Sequence, residues 1–595
     1  MSLVRRNLNT LTLLFLLCRN IGLECFFIYK FFRRDYMTNL KVPRFETDKF
    51  KGKTKKLHER NFSKFGFDFH PEVSIISGLF VLLFIGLTLH NPELANKALV
   101  GVQKKITSNF NWFFILSANL FLLFPIYLMF SKFGEIKLGG PEAKPEYTNF
   151  AWYSMLISAG MGIGLVFFSV AEPIFHANSI LPMTGGTSPT QALGITFYHW
   201  GFHAWGIYSL IALALSFFAY NRGLPLSLRS VFYPVLKDRI FGKIGDIIDI
   251  TAVISCLFGL ATSLGYGAQQ INSGLNYLFG IQQSRTIQVA IIVIITLIAT
   301  MSVVSGIGKG VRILSELNMK IAGLFLILML ILGPTLYILR SFNNGLGYYL
   351  NNFISISFFS ENGSDWQGSW TVFYWAWWIS WSPFVGMFIA RVSKGRSVRE
   401  FVTAILIVPV LLSFIWMSTF GATALYQDQV THGALLKAVQ TDTSTALFAM
   451  IQGMDISAIL KTIMGIIGTF LVISFFVTSS DSGSLVVDNL TSGGKLDSPI
   501  PQRVFWALME GTIAVSLLLA GGNSALSALQ TGVIISGLPF TVIMLIMMYS
   551  LHVGLRNDLK KLKEYREDKL AITLFNKKIR GAFEKDEKIK QRLNK

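Results

Sequence analysis

The sequence has few charged residues and few cysteines, and each shortage excludes a class of protein. Charged residues are 14% of the 595 residues, whereas apolar residues are 52% and the mean hydropathy is +0.51. Soluble domains carry more charge than this, so the composition indicates a membrane protein. The cysteines, Cys18, Cys25 and Cys256, are too few and too scattered for a disulfide framework. Eight histidines and the sparse acids within apolar segments supply no catalytic constellation, which argues against a membrane enzyme.

Long apolar runs fill the chain from residue 73 to residue 551. A helix needs roughly 20 apolar residues to cross about 30 Å of hydrocarbon. Segments that meet this length are 73–91, 112–131, 152–170, 190–220, 247–275, 287–304, 320–339, 370–390, 402–424, 459–477, 503–519 and 530–551. The alternating ten-residue segments of a β-barrel do not occur in the sequence. The predicted fold class is therefore all-α integral membrane, with twelve transmembrane helices numbered here as spans 1 to 12.

Positive charge is concentrated at the two ends of the chain, which predicts three regions. Residues 1–72 carry 15 Lys and Arg against 7 Asp and Glu, and residues 552–595 carry 14 against 7. We expect a basic N-terminal segment 1–72, a twelve-helix membrane domain 73–551 and a basic tail 552–595. Basic tails gain about 1 kcal/mol per Lys or Arg beside anionic lipid. A lipid partner is therefore preferred over nucleic acid, although the net charge is +20.

Basic residues also alternate between the connections, which predicts the orientation. They are concentrated after spans 2, 4, 6, 8 and 10, and the first connection is the one poor fit. By the positive-inside rule both termini are cytoplasmic, in the cell inner membrane. Within the N-terminal segment, residues 1–36 resemble a signal peptide only weakly. Met37 is an alternative start, in which case residues 1–36 are non-native upstream sequence.

Glycine and proline interrupt two spans that lie five spans apart. Span 3 contains Gly160, Gly162 and Gly164, and span 8 contains Ser380-Trp381-Ser382-Pro383. Inverted-repeat carriers bind substrate and ion where corresponding helices break at the midplane. Spans 3–7 and 8–12 are therefore predicted to be a 5+5 repeat. Helix packing through the GxxxG of Gly160 and Gly164 is the alternative.

Aromatic side chains are crowded into the middle of span 8. Five of the twelve tryptophans lie in WTVFYWAWWISW, residues 370–381. At 100° per residue, Trp377 and Trp381 share one helical face with Tyr374, Trp378 flanks it and Trp375 points away. Facing indoles surround cations that cannot donate hydrogen bonds, such as quaternary ammonium groups. Interfacial anchoring is the alternative, but anchors belong near span ends.

Span 4 supplies a second aromatic face, and two further patterns have simpler readings. His199, Trp200, Trp205 and Tyr208 lie along span 4. His199 and His203 have the i, i+4 spacing of a zinc pair, but no Glu, Asp or Cys nearby in the sequence completes a ligand set. Packing or a hydrogen bond to the neighbouring helix is preferred for these histidines.

In span 10, TSSDS at 478–482 offers hard oxygen ligands for an alkali cation, yet such hydroxyls usually bond their own i−4 carbonyls.

Several segments together resemble the betaine/carnitine/choline transporter family. They are SWTVFYWAWW at 369–378, GMGIGLVFFSVAEP at 160–173, SGIGKGV at 305–311, WSPFVGMFIARVSKGRSVREF at 381–401 and TSSDSGS at 478–484. The match covers about 73–555, in order and at the family's spacing. The resemblance implies a LeuT-type inverted-repeat fold, a homotrimer and uptake of trimethylammonium osmolytes.

The resemblance also implies which residues bind substrate and ion. An aromatic box would be lined by Trp200, Trp205, Tyr208, Trp377, Trp378 and Trp381, with Gly160, Gly162 and Gly164 as an unwound segment. A sodium ion would be held by backbone carbonyls of Ser158, Met161 and Phe475 and by the hydroxyls of Thr478 and Ser479. A second sodium site would fall on Cys256 and Leu260, which are poor hard ligands, with Ser263 nearby. No other cofactor is expected.

The function implied is import of a quaternary-ammonium osmolyte, with glycine betaine preferred, by sodium symport for osmoprotection. Proton-coupled choline members carry an acid where this chain has Gly164, so glycine favours sodium. A sodium-independent or proton-coupled choline or carnitine carrier or exchanger is the alternative. A channel is disfavoured because a close-fitting box slows conduction. The basic tail 556–595 resembles an osmosensing tail, and ordinary positive-inside charge explains it equally well.

Overall fold

The protein is described by a computed structural model covering residues 57–160, 162–183, 185–304, 308–361, 364–521 and 525–585. These residues form helices and short connections, with two isolated β-bridges. The helices of twelve residues or more, α1 to α15, are Pro71–His90, Pro92–Phe130, Asn149–Gly160, Ile163–Ala177, Pro189–Trp200, Phe202–Arg222, Lys243–Phe279, Arg285–Val304, Gly308–Leu332, Thr335–Asn351, Phe373–Val392, Val398–Val430, Ala458–Thr491, Ile500–Gly521 and Ala525–Lys585. The all-α membrane prediction is confirmed. The N-terminal segment 1–36, with Met37, lies outside the described residues.

The predicted spans correspond to these helices, with one end corrected. Ten helices of the described chain are long and apolar enough to cross a membrane, and the bent pair α3–α4 makes eleven. The remaining predicted span, 370–390, is the helix α11, which is not one of these eleven. Span 7 was predicted to reach residue 339, but α9 ends at Leu332 because Gly333 and Pro334 follow. The 5+5 repeat stays a prediction.

Two of the spans that carry the predicted site are interrupted. Span 3 is divided into α3 and α4, which bend by 64° relative to one another. Span 4 is divided at Gly201, between α5 and α6. Span 8 was expected to break near Pro383, but α11 continues through that proline and is preceded by a π-helical turn at Gly368–Val372. The irregular backbone therefore lies in spans 3 and 4 and just before α11.

The interrupted helices form the centre of the molecule. α11 packs on α6, α12 packs on α4, α5 and α6, and α7 packs on α11 and α13. The share of residues buried is 89% in the apolar window of Pro189–Arg222 but only 33% in that of Pro71–His90. α1 is thus a peripheral helix whose apolar side chains face outward, and the predicted site lies among the most buried helices.

Connections that follow even-numbered spans meet at one face of the bundle. Lys137 forms a β-bridge with Ser397, and Arg60 lies 3.9 Å from Asp246 at the start of α7. α15 continues without a break from Ala525 to Lys585, past the predicted domain boundary at 551. Its outer part reaches the same face, where Arg566 pairs with Glu135 at 2.5 Å. The described ends of the chain therefore lie on one side.

Candidate functional site: an aromatic cluster at the broken helices

Trp378 of α11 joins the two predicted aromatic faces. Its indole lies edge-on to Trp200 of α5 at 4.9 Å between ring centroids and edge-on to Tyr208 of α6 at 6.1 Å. Trp377 stacks on Trp378 at 5.2 Å with an interplanar angle of 11°. Trp205 lies edge-on to Tyr208 at 5.6 Å. Four of the chain's indoles and a phenol are thus in continuous contact across α5, α6 and α11.

The box side chains are buried inside the protein and do not face lipid. The six predicted members are between 2% and 8% exposed. Interfacial anchors would instead point outward near the ends of their helices. As expected, Trp375 points elsewhere, since it stacks on His203 at 5.3 Å and lies edge-on to Tyr198. The structure therefore brings five of the six predicted box residues into ring contact and leaves Trp375 outside the group. The sixth, Trp381, lies edge-on to Phe384 at 5.4 Å.

Each glycine of the interrupted span lies next to a different indole, as the space for an added β-carbon shows. A β-carbon on Gly160 would overlap Trp205, and one on Gly164 would overlap Trp377. A β-carbon on Gly162 would lie 3.7 Å from Trp381, which is an ordinary contact. Two of the three glycines are thus required by close approach of a ring, rather than by the GxxxG helix packing that the sequence left open.

Backbone carbonyls hold two of the indoles in place, one beside the break at Gly201 and one inside the continuous helix α7. Trp378 Nε1 donates to the carbonyl of His199 at 3.0 Å, and Trp381 Nε1 donates to the carbonyl of Gly259 at 2.8 Å. A buried indole N–H without an acceptor is costly, so each bond fixes the rotation of its ring. Sequence reasoning missed both acceptors because a carbonyl leaves no trace in the sequence.

A buried carboxylate, Glu172 of α4, supports the box from behind. It accepts a hydrogen bond from Trp200 Nε1 at 2.7 Å and one from Tyr374 Oη at 2.5 Å. His199 Nδ1 lies 2.7 Å from Glu172 Oε1, and His176 Nε2 lies 3.3 Å from the same oxygen. Charge-assisted hydrogen bonds of this kind are shorter and stronger than neutral ones. Glu172 therefore ties α4, α5 and α11 together at the box.

The histidine prediction needs a correction at this point. The sequence offered no acid near His199, but the fold brings Glu172 and His176 to it, and ligand atoms of the three lie within 4.8 Å of one another. His203 bonds instead to Asn119 Oδ1 on α2 at 3.0 Å, which confirms a hydrogen bond to a neighbouring helix. Because hydrogen-bond donors already surround the Glu172 carboxylate, the cluster is a hydrogen-bonding support rather than a metal centre.

The predicted sodium ligands lie on α3 and α13. Thr478 Oγ1 donates to the carbonyl of Ser474 at 2.9 Å, the i−4 bond that the residues alone favoured. The same hydroxyl accepts from Asn318 Nδ2 at 3.3 Å. Ser479 is 9% exposed, and the Phe475 ring is buried. Ser158 is on α3, and Met161 lies outside the described residues. Sodium ligation by these groups stays a prediction.

The positions predicted for a second sodium are poorly suited to a hard cation in the fold as well. Cys256 is a buried free thiol on α7. Leu260 fills the space beside Gly483 of α13, where a β-carbon would overlap it. Ser263 Oγ donates to the carbonyl of Gly259 at 3.3 Å. A thiol and an alkyl chain do not compete for sodium with oxygen donors.

Comparison with known proteins identifies the family. The protein-family model described as "BCCT, betaine/carnitine/choline family transporter" matches residues 72–560 of this chain. The chain is 48% identical over 518 residues to a glycine betaine/proline/choline/ectoine transporter of Vibrio parahaemolyticus, covering 84% of this chain and 89% of that protein. It is also 48% identical over 508 residues to glycine betaine transporter 1 of the same organism, covering 84% and 96%.

A more distant relative agrees. The glycine betaine transporter of Acinetobacter baylyi is 42% identical over 507 residues, covering 84% of this chain and 75% of that protein. The family match spans the broken helices, the aromatic cluster and α13 together, and its members are transporters rather than enzymes. This chain is a multi-pass membrane protein that belongs to the betaine/carnitine/choline transporter family.

Proposed function

We propose that the protein imports glycine betaine, or a close quaternary-ammonium relative, by sodium symport for osmoprotection. One observation carries the substrate class, namely the indole of Trp378 held edge-on to Trp200 and Tyr208 in the protein interior. Several aromatic rings around one point attract a cation by about 2 kcal/mol or more when it is desolvated. A trimethylammonium group, which has no N–H to donate, loses less in such a site than an ammonium that must give up hydrogen bonds to water.

The carboxylate of a betaine is proposed to meet the backbone between α3 and α4. Gly162 precedes α4 with an extended backbone, so the amides of the first turn of α4 have no intrahelical acceptor. The N-terminal end of a helix attracts an anion through these amides and through its dipole. Gly160 and Gly164 already contact the indoles of the box. A short zwitterion could therefore place its two charges on adjoining surfaces.

Sodium is proposed as the coupling ion for a steric reason. A proton-coupled relative would carry an acid at position 164, yet a β-carbon there would overlap the indole of Trp377. The hydroxyls of Thr478 and Ser479 on α13, with carbonyls of Ser158, Met161 and Phe475, are the proposed ligands. Oxygen donors of this type suit a hard alkali cation.

Transport is proposed to follow from relative motion of the site helices. Spans 3, 4, 8 and 9 correspond to α3–α4, α5–α6, α11 and α12, which pack on one another. In an inverted-repeat carrier such a group rocks as a unit against the remaining helices and exposes the site to each side in turn. Glu172 joins three of these helices, which favours movement as one body.

Uptake of labelled glycine betaine into proteoliposomes tests the proposal. An inward sodium gradient is expected to drive accumulation. Accumulation is expected to stop when external sodium is replaced with potassium, and also when an inward proton gradient is imposed in place of the sodium gradient. Accumulation that is unchanged in sodium-free buffer would contradict the sodium mechanism. The favoured alternative would then be a choline or carnitine carrier or exchanger that is independent of sodium or coupled to protons. Competition of labelled betaine uptake by choline, carnitine, ectoine and proline betaine would identify the preferred substrate.

Assembly and membrane contacts are part of the same proposal. We expect a homotrimer in the cell inner membrane with both termini cytoplasmic, and basic termini beside anionic lipid. The outer part of α15 is attached to the loop after α2, where Lys569 pairs with Glu142 at 2.8 Å and Arg566 pairs with Glu135. Hydrogen bonds from these basic groups hold the pKa of Glu135 and of Glu142 below the usual carboxyl value. Surface pairs of this kind weaken as salt rises, as an osmosensing tail would require.

A further inference from the structure

Two carboxyl groups lie together in the bundle at a distance from the residues that the proposed function uses. Glu510 of α14 is 0% exposed and Asp481 of α13 is 2% exposed. Asp481 is ten residues before the end of α13 at Thr491, and Glu510 is ten residues after the start of α14 at Ile500. At 1.5 Å per residue both lie about 15 Å from the connecting loop. This depth is about half of a 30 Å hydrocarbon layer.

The carboxyl of Glu510 stands out because it lacks a hydrogen-bond partner among the residues that the structure describes. Neither of its oxygens has a donor in bonding geometry within the described chain. The Ser480 hydroxyl, 0% exposed, faces Glu510 and is itself without a partner in bonding geometry. Asp481 lies close enough to Glu510 for their charges to interact, and it accepts from Ser302 Oγ of α8 at 2.6 Å. Four side-chain oxygen groups from three helices therefore lie in one buried neighbourhood, with Ser302 bonded to Asp481 and with Ser480 and Asp481 beside Glu510.

Such an arrangement is unfavourable with both carboxyls ionised, so protons or a bound cation must neutralise it. An isolated carboxylate in a low-dielectric interior costs many kcal/mol, and two adjoining carboxylates repel each other as well. In the described residues no Lys or Arg forms an ion pair with Glu510 or Asp481. Ionisable groups at this depth in membrane proteins commonly belong to ion pathways. Carboxylate and hydroxyl oxygens are the ligands that hard cations prefer.

The cluster is separate from the sodium ligands predicted on the same helix. The Thr478 hydroxyl faces Asn318 of α9, whereas Asp481 faces Ser302 of α8 and Ser480 faces Glu510 of α14. α14 carries no member of the aromatic box and none of the predicted sodium ligands. Glu510 also lies within electrostatic reach of Cys256 on α7, so the cluster adjoins the position where the sequence expected a second ion but supplied no hard ligand.

We propose that Glu510 and Asp481, with the hydroxyls of Ser480 and Ser302, bind one sodium ion near the middle of the membrane. The ion would compensate the unpartnered carboxyl and connect α8, α13 and α14. The inference rests on the proposed sodium symport, since it adds a second place at which sodium enters the transport cycle. It assigns to α14 a role in ion binding that the aromatic box does not require.

Sodium titration of Glu510→Gln provides the test. Uptake of labelled glycine betaine is measured in proteoliposomes against external sodium at fixed pH, beside wild type and the exposed control Glu93→Gln. Because one charged ligand is removed, the apparent sodium affinity is expected to fall by about tenfold or more in Glu510→Gln and to stay unchanged in Glu93→Gln. Betaine affinity at saturating sodium should match wild type. A second measurement without substrate is the shift in melting temperature on adding sodium rather than potassium, which should shrink in the variant.

The outcomes are separable. A sodium curve for Glu510→Gln that matches wild type overturns the site but leaves the symport standing, whereas a wild type without sodium dependence overturns the symport first. A variant that changes the pH dependence of uptake and not its sodium dependence would mean that Glu510 holds a proton, and this also overturns the site. If Glu510→Gln fails to fold, Ser480→Ala removes one oxygen with no change in charge and is expected to lower the sodium affinity severalfold.

Discussion

Replacing Trp378 by leucine tests directly whether the box recognises positive charge. Trp378 is the ring that Trp200 and Tyr208 both approach, at 4.9 and 6.1 Å. Leucine keeps an apolar side chain but removes the π face. A desolvated cation–π contact contributes about 2 kcal/mol, so at about 1.4 kcal/mol per tenfold we expect the dissociation constant of glycine betaine to rise roughly 30-fold.

Loss of the indole also affects stability, and the two effects must be separated. The bond from Trp378 Nε1 to the His199 carbonyl contributes about 1 kcal/mol, and the volume lost adds a cavity cost. Both act on the free and the occupied protein alike, so they lower the melting temperature more than they change affinity. Trp375→Leu is the matched control, because Trp375 is equally buried on the same helix but packs on His203.

The assay compares glycine betaine with 3,3-dimethylbutanoate, an isostere that keeps the carboxylate but has an uncharged carbon in place of the positive nitrogen. Wild type and Trp375→Leu are expected to prefer betaine by a similar factor, measured by competition for labelled betaine on purified protein. In Trp378→Leu that preference should fall by roughly 30-fold if charge recognition is lost. A preference in Trp378→Leu equal to that of wild type would refute a cation–π box, whatever happens to the melting temperature.

Three further predictions follow from named contacts. Gly164→Ala should reduce betaine affinity and lower the melting temperature, with an overpacking cost of about 1–3 kcal/mol, whereas Gly162→Ala should approach wild type because its β-carbon has space. Equal losses of affinity and of melting temperature in the two variants would contradict this prediction. Glu172→Gln should lower the melting temperature and the uptake rate, since three donors lose their charged acceptor at about 1.5–3 kcal/mol per bond; wild-type values for both would argue against the supporting role. Glu142→Gln should speed hydrogen exchange over 560–574 at low salt by removing the partner of Lys569. In wild type the hydrogen bond from Lys569 lowers the pKa of Glu142, so this attachment is complete above the ordinary carboxyl pKa and is lost as the pH falls through the lowered pKa. The protection of 560–574, corrected for the slower intrinsic exchange at low pH, should therefore decrease as the pH falls. Protection that responds neither to the substitution nor to pH would count against the attachment.

Much of the architecture follows from composition and spacing. Burial of apolar surface in lipid requires helices of a fixed length, so the spans were predictable from runs of apolar residues. Trp377, Trp378 and Trp381 were predictable as one group because helical periodicity places them near each other on a single helix. The span with the most indoles, 370–390, was predicted from the same apolar runs, and the helix α11 occupies it. Span ends were less predictable, as at Leu332, where a following Gly-Pro stops the helix.

The sequence by itself determined the membrane class, the family and the aromatic residues of the candidate site. Only the tertiary structure decided which glycine meets which indole, that Glu172 supports Trp200 and Tyr374, and that Glu510 lies near Asp481 with no hydrogen-bond partner of its own in the described part of the chain. These pairs join residues that are between about 30 and 200 positions apart, and their meeting depends on how whole helices pack. Periodicity fixes the faces of one helix, whereas the partner of each face is set by interhelical geometry that no local pattern encodes.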